Sequence, residues 1–254
     1  MSDPVRAQWG RVAHEYGRTW TQATSPDLGW LVEALAPKAE ERALDLGSGA
    51  GHASLAVAPR VASVTALDPT PQMLALAAEL AAERGVRNVA FVEGRADALP
   101  FPAGSFDLAV SRFSVHHWPD PASAFREVAR VLRPGGRFGI ADMNAPEDGP
   151  LDTWLNALEL LRDPTHARSL RASEWLALLA GAGFETRITR RWEIRHATED
   201  WLGRAHPAPW RADAVRALLR EAPAEAGTAF AIADDHAAFS VPALVLVAHQ
   251  EVPA

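Results

Sequence analysis

Asp45 stands two residues ahead of a run of alternating glycines, Gly47, Gly49 and Gly51, so a carboxylate is coupled to unusually free backbone. Glycines of this kind let a chain turn sharply and approach a ligand closely. A dinucleotide pyrophosphate favours the spacing G-x-G-x-x-G before an uncluttered helix start. Here the third glycine position of that pattern is His52, and Asp45 puts a negative charge just before the loop. The arrangement suits a cationic ligand better than an anionic one. The second chemical feature is the stretch Ser111-Arg112-Phe113-Ser114-Val115-His116-His117-Trp118-Pro119-Asp120. Histidine is the side chain best suited to accept a proton near neutral pH. The pair also has quieter readings: rings packed beside Trp118 and bonded to backbone carbonyls, or metal ligation. Adjacent histidines on a loop rarely reach one metal together, and the chain has no cysteine and no spaced His/carboxylate set nearby. No metal site is expected.

These residues need a scaffold. Ala43 to Leu46 reads as a buried strand ending in the glycine cluster, and His52 starts a helix. Val61 to Leu67 is a second strand, followed by an Ala/Leu-rich helix from Pro71 to Arg84 that Gly85 closes. Val89 to Glu93 and Phe106 to Ser111 are the third and fourth strands, and Pro121 to Leu132 is a helix. A turn at Pro134-Gly135-Gly136 leads into a fifth strand from Arg137 to Ala141. Strands alternating with helices imply an α/β fold with a mostly parallel sheet and helices on both faces. Beyond this, Leu151 to Leu161 and Ala172 to Ala180 are helical, and Phe184 to His196 and Ala243 to His249 are strands. The organisation expected is one domain over 1–254. It comprises N-terminal helices (1–40), a cofactor-binding core (41–143), helices with a sixth strand (144–196), a cap or lid insertion (197–239) and a final strand (240–254).

The segment Leu44-Asp45-Leu46-Gly47-Ser48-Gly49-Ala50-Gly51 resembles the first motif of class I S-adenosylmethionine-dependent methyltransferases, L-D-x-G-x-G-x-G. Other segments follow in the family's order. Ala66-Leu67-Asp68 resembles the strand end whose carboxylate accepts two hydrogen bonds from the ribose hydroxyls. Gly94 to Phe101 is similar to G-D-A-x-x-L-P-F, which implies Asp97 at the adenine amino group and the Ala98 N–H at the ring. Phe106-Asp107-Leu108 and Val131 to Gly136 match the fourth strand and the turn before the fifth. His116-His117-x-x-Asp120 is similar to the ubiquinone/menaquinone C-methyltransferase-like subgroup, methyltransferase type 11.

The resemblance implies a Rossmann-like doubly wound sheet, mostly parallel with an antiparallel final strand, and a helical cap between the last two strands. It implies S-adenosyl-L-methionine bound by Tyr16, Asp45, Gly47, Ser48, Gly49, His52, Asp68, Pro69, Met73, Asp97, Ala98 and Ser111. Trp9, Val12 and Tyr16 equally read as an apolar helical stripe by their spacing. Methyl transfer from a sulfonium is an in-line displacement, so the protein mainly supplies orientation, and a base only where the nucleophile must lose a proton. His117, then His116, are the candidates for that base.

The bulk composition narrows the partners. With 254 residues, 48% of them hydrophobic, and a formal charge of −7, the chain has no run of basic residues that would favour nucleic acid. No stretch reaches the roughly 20 apolar residues that span a bilayer, and the N-terminus lacks a signal-peptide core; a cytoplasmic enzyme is expected. The oligomeric state is not readable. Nine tryptophans against one tyrosine, with Trp201 and Trp210 in the insertion, suggest an aromatic lid and an apolar or aromatic small-molecule substrate. Asp163, His166 and Arg168 either face the substrate cavity or form a hydrogen-bonded loop docking the cap on the core. Two other functions share this fold: cyclisation or rearrangement without methyl transfer, and cofactor binding by an inactive regulatory protein.

Overall fold

The computed structural model describes residues 4–17 and 25–251, excepting the side chains of residues 12 and 14–17. Helices α1 (Pro4–Gly17) and α2 (Asp27–Leu35) precede β1 (Arg42–Leu46), α3 (His52–Val57), β2 (Ser63–Asp68), α4 (Pro71–Glu83) and β3 (Val89–Glu93). Then come β4 (Phe106–Arg112), α5 (Pro121–Val131), β5 (Leu132–Met143), α6 (Gly149–Arg162), α7 (Ala172–Gly181) and β6 (Phe184–Ala197). Helices α8 (Thr198–Ala205), α9 (Pro209–Arg220) and α10 (Ala224–Ala229) separate β6 from β7 (Ala238–Gln250).

The seven strands form one sheet in the order β3-β2-β1-β4-β5-β7-β6. All neighbours are parallel up to β5, and β7 runs antiparallel to both β5 and β6. The Rossmann-like sheet with an antiparallel final strand and a helical insertion before it is therefore as expected. After β1 the chain builds outward through β2 and β3, then crosses back to β4 on the other side of β1. That reversal leaves a crevice at the carboxyl ends of β1 and β4, where ligands of open α/β sheets bind.

Two boundaries differ from expectation by more than two residues. The Pro134-Gly135-Gly136 turn does not precede β5 but bulges within it: Leu132 pairs with Phe106, and Arg137 with Leu108. Gly135 takes φ +75° there. β7 begins at Ala238, ahead of the expected Ala243. Pro242 accounts for that difference, because a proline reads as a strand breaker. It is tolerated because β5 has run out beside it, and only its carbonyl is used, accepting from the Asn144 N–H.

Phe125, Phe138, Trp175 and Phe184 form the centre of the core on one face of the sheet. On the other face α2 packs on β5 and lies very close: a Cβ at Gly139 would meet Leu35 Cγ at 2.7 Å. The cap buries Trp201, Leu219 and Phe230, the last just beyond α10, against Trp154, Leu155 and Leu158 of α6. Trp154 stacks on Phe230 with 4.8 Å between ring centres.

Substituting Gly139→Ala should overpack the α2–β5 contact and cost about 1–3 kcal/mol. Urea unfolding followed by circular dichroism would read this as a lowered midpoint; an unchanged midpoint would mean that α2 shifts freely on the sheet.

Candidate active site

Buried strand ends and glycine turns shape a cleft of about 440 Å³ along the carboxyl edge of β1, β2 and β4. Its floor includes Asp45, Gly47, Ser48, Gly49, His52, Asp68, Pro69, Met73 and Asp97. Asp45 is completely buried. The Ser54 N–H and hydroxyl both donate to its Oδ2, at 2.8 and 2.6 Å, and its Oδ1 has no partner. Burial raises its pKa to about 6, with Asp68 adding to the rise and the Ser54 hydrogen bonds opposing it. A buried, unpartnered carboxylate oxygen fits a cationic or donor-bearing ligand group. Asp68, raised by burial, accepts from the Gly49 N–H at 2.9 Å and the Thr70 N–H at 2.8 Å. The Thr70 hydroxyl bonds this carboxylate as well, and of the roughly four acceptor sites of a carboxylate one is left for a ligand hydroxyl. Gly47 sits at φ +62°, and a Cβ there would lie 1.8 Å from the Ser114 hydroxyl. The first loop is thus wedged against the loop after β4.

That second loop hangs on a carboxylate that sequence reading did not single out. Asp142, buried near the end of β5, accepts from the backbone N–H groups of Ser114, Val115 and Met143. His116 Nδ1 lies 2.6 Å from its Oδ1. Burial alone would lower the His116 pKa, but the Asp142 charge and hydrogen bond carry it above the ordinary value. His116 does not line the cleft; it is set back from it as the inner half of a buried ion pair. His117 does line the cleft. Its Nδ1 lies 3.2 Å from the Thr165 carbonyl, which can only accept, so Nδ1 carries the proton and Nε2 keeps its lone pair. Burial and the neighbouring His116 push its pKa down to about 4, so the ring is neutral at pH 7.

Several expected residues are placed otherwise. Ser111 is buried within β4, donating to the Leu46 carbonyl at 3.0 Å, and Ala98 gives its N–H to the Arg95 carbonyl at 3.3 Å. Neither is among the cleft-lining residues. Asp97 is at the cleft, but Arg95 holds both its oxygens, at 3.0 and 2.9 Å, which lowers its pKa. The Tyr16 side chain lies outside the described residues. Asp163, His166 and Arg168 take the docking-loop alternative: the Ala167 and Arg168 N–H groups donate to the His116 carbonyl, and Arg168 pairs with Asp152 and Glu174. The expected aromatic lid is not formed by the cap. Trp201 is 2% exposed within the cap core, and Trp210 is 61% exposed to solvent. The aromatic wall comes instead from Trp9, Phe113 and Trp118, with Arg112 alongside, itself paired with the buried Asp27. Arg112 could have been suspected as a lone charge ending the apolar run of β4.

Among the described residues, no group of three or more His, Asp or Glu side chains is placed to hold a metal ion, and no helix is long and apolar enough to cross a membrane.

Residues 44–140 match a family model described as a methyltransferase domain. The chain is 39% identical over 210 residues to the uncharacterized methyltransferase YcgJ of Bacillus subtilis, covering 83% of each protein. The crystal structure of that protein superposes with a TM-score of 0.87, at 35% identity, over 91% of this chain and all of that one. The structure of a putative methyltransferase from Bacillus halodurans gives a TM-score of 0.86 at 31% identity, over 90% of this chain and all of that one. A demethylmenaquinone methyltransferase of Thermus thermophilus is 39% identical over 128 residues, 48% of this chain and 58% of that one.

Because the Asp45 pKa lies at about 6, its carboxylate is ionised above that pH and loses its charge below it. Affinity for the cationic S-adenosylmethionine should be flat from pH 7 to 8 and weaken below pH 6, by up to about tenfold per unit. Isothermal titration would follow this, and Asp45→Asn should flatten the profile while weakening binding at pH 8. A wild-type affinity that does not change between pH 5 and 8 would remove Asp45 from cation recognition.

Proposed function

The chain belongs to the methyltransferase-domain family and is an S-adenosylmethionine-dependent methyltransferase; from that premise we propose that it methylates a small molecule, at oxygen, nitrogen or carbon, beside the neutral ring of His117. One observation carries this reading. A single cleft joins the buried carboxylates Asp45 and Asp68 to an imidazole whose Nε2 is free to accept a hydrogen.

The cofactor would lie against Asp45, Gly47, Ser48, Gly49, His52, Asp68, Pro69, Met73 and Asp97. When bound, it supplies a methyl group already activated for displacement by its sulfonium. The work left to the protein is binding, orientation and the exclusion of water. Trp9 and Met73 close one side of the cleft, and Phe113 and Trp118 offer apolar walls for an acceptor with an aromatic or aliphatic body. His117 Nε2 takes the hydrogen of the nucleophile, and Thr165 keeps the ring in the tautomer that can do so. His116 acts one step behind, holding the backbone turn to Asp142. The Thermus relative is named for a quinone, but it matches less than half of this chain and does not define the acceptor.

His117→Ala should lower turnover about 10²- to 10⁴-fold, with the dissociation constant for S-adenosylmethionine within twofold of wild type. Release of S-adenosylhomocysteine in the presence of acceptor is the assay, since cyclisation or rearrangement would not produce it. Unchanged turnover would end the role given to His117, and failure to bind S-adenosylmethionine would end the reading as a whole.

A further inference from the structure

The cleft runs across the strand ends in the order of the sheet, β3-β2-β1-β4, and its charged side chains follow that order. Arg95 and Asp97 stand beyond β3, Asp68 ends β2, Asp45 lies in β1 and Arg112 ends β4. A cofactor whose ribose meets Asp68 and whose α-ammonium meets the bare Oδ1 of Asp45 therefore brings its amino-acid end to the β1–β4 side. That ammonium shares its carbon with a carboxylate, so an anion must be accommodated close to the Asp45 side chain. Among the residues lining the cleft, the permanent cations are Arg95 and Arg112. Arg95 lies on the far side of Asp68 and is forked to Asp97. Arg112 lies on the near side, and its charge is felt at Asp45, where it favours the ionised carboxylate.

The setting of Arg112 fits that task. Its Nε and Nη2 donate to the two oxygens of Asp27, at the start of α2. The two side chains are only 5% and 0% exposed. Removing two charges from water offsets most of what their attraction returns, so a buried pair of this kind is a weak source of stability. It does fix orientation. A guanidinium is a rigid plane of five N–H donors, and Asp27 grips it by its Nε edge. The Phe113 ring, its centre 4.9 Å from the guanidinium carbon, supports the plane from one face. The edge between the two terminal nitrogens is the one that matches both oxygens of a carboxylate.

We propose that Arg112 binds the α-carboxylate of S-adenosylmethionine, with Asp27 as the positioning residue that holds the guanidinium in place. This rests on the placement of the cofactor in this cleft. Asp45 and Arg112 then take the opposite charges of one zwitterion, a task that neither side chain can do for the other. The two anchors fix the amino-acid end, and the sulfur is only three bonds from its α-carbon. The sulfonium is thereby kept in one position while its methyl group is displaced, which is the orientation that in-line attack requires. A lysine would not serve equally, since a single ammonium cannot fork to Asp27 and to a second carboxylate at once.

The test compares S-adenosylhomocysteine with its decarboxylated and deaminated counterparts by isothermal titration. The wild-type protein should bind the decarboxylated compound at least about tenfold more weakly, the loss expected for a charge-assisted pair. Asp27→Asn with Arg112→Gln replaces the ion pair by a neutral one, so that no lone charge stays buried. In this double variant the carboxylate penalty should fall below about threefold, while the penalty for losing the amine, which belongs to Asp45, keeps its wild-type size. A merely structural role for Arg112 would weaken all three ligands alike. Should the double variant not fold, Arg112→Lys takes its place, with the carboxylate penalty again reduced and the amine penalty unchanged. A wild-type penalty smaller than expected, or one retained in full by a folded variant, would overturn the proposal and leave the cofactor site where it is. A chain that binds none of the three compounds would overturn the placement of the cofactor instead.

Discussion

The carboxylate of Asp142 gathers four hydrogen-bond partners from two stretches of chain: three backbone N–H groups and the His116 ring. A buried charge costs several kcal/mol unless it is paired and fully hydrogen-bonded. Here the compensation is also the architecture. The turn after β4 cannot move without stripping Asp142 of its partners, and that turn carries Ser114, His117 and Trp118 to the cleft. Ser114 accepts a hydrogen bond from the Trp118 indole at 3.1 Å and stands where a side chain at Gly47 would be. Three strand ends are thereby tied together around the site: β5 through Asp142, β4 through its following turn, and β1 through its glycine loop.

The second organising feature is the contrast between carboxylates. Asp142 is surrounded by donors. Asp45 has donors on one oxygen only. Asp163 repeats that half-satisfied pattern on the other side of His117. The full set of bonds at Asp142 builds structure, whereas the half-sets each leave one buried carboxylate oxygen without a donor, at the cleft for Asp45 and behind its wall for Asp163. The same distinction separates the two histidines. His116 spends its Nδ1 on Asp142 and lies behind the wall, whereas His117 spends one nitrogen on Thr165 and keeps the other.

The cap acts at a distance from the cleft. Its aromatic residues pack inward on α6, and it lends the site a brace: the Gln8 side-chain amide of α1 donates to the Ala205 carbonyl of α8 at 2.7 Å. Arg6 of the same helix reaches Glu93 at the end of β3 at 2.8 Å. Helix α1, which places Val5 and Trp9 on the cleft, is therefore held at both the cap and the far side of the sheet. A substrate preference inferred from cap tryptophans fails for this reason, because the nearest aromatic rings come from α1 and the turn after β4.

What could be read in the residues was what depends on neighbours in sequence. Gly47, Gly49 and Gly51 all take positive φ, a local demand that glycine meets without strain. Strands β1 to β4, the helix after each glycine or proline signal, and the carboxylates at strand ends were legible on the same grounds. The bulged Pro134–Gly136 segment and the early start of β7 were not, since both are tolerated only through their pairing with other strands. Nor could adjacency in the chain tell His116 from His117. Their rings part because Asp142 on β5 claims one and the Asp163–Thr165 loop after α6 claims the other. Ser111 and Ala98, which the resemblance puts at the ligand, donate to the Leu46 and Arg95 carbonyls, partners that the residue pattern did not announce. The sequence by itself determined the glycine loop and its charge; the tertiary structure decided which histidine lines the cleft and which of its ring nitrogens keeps a lone pair.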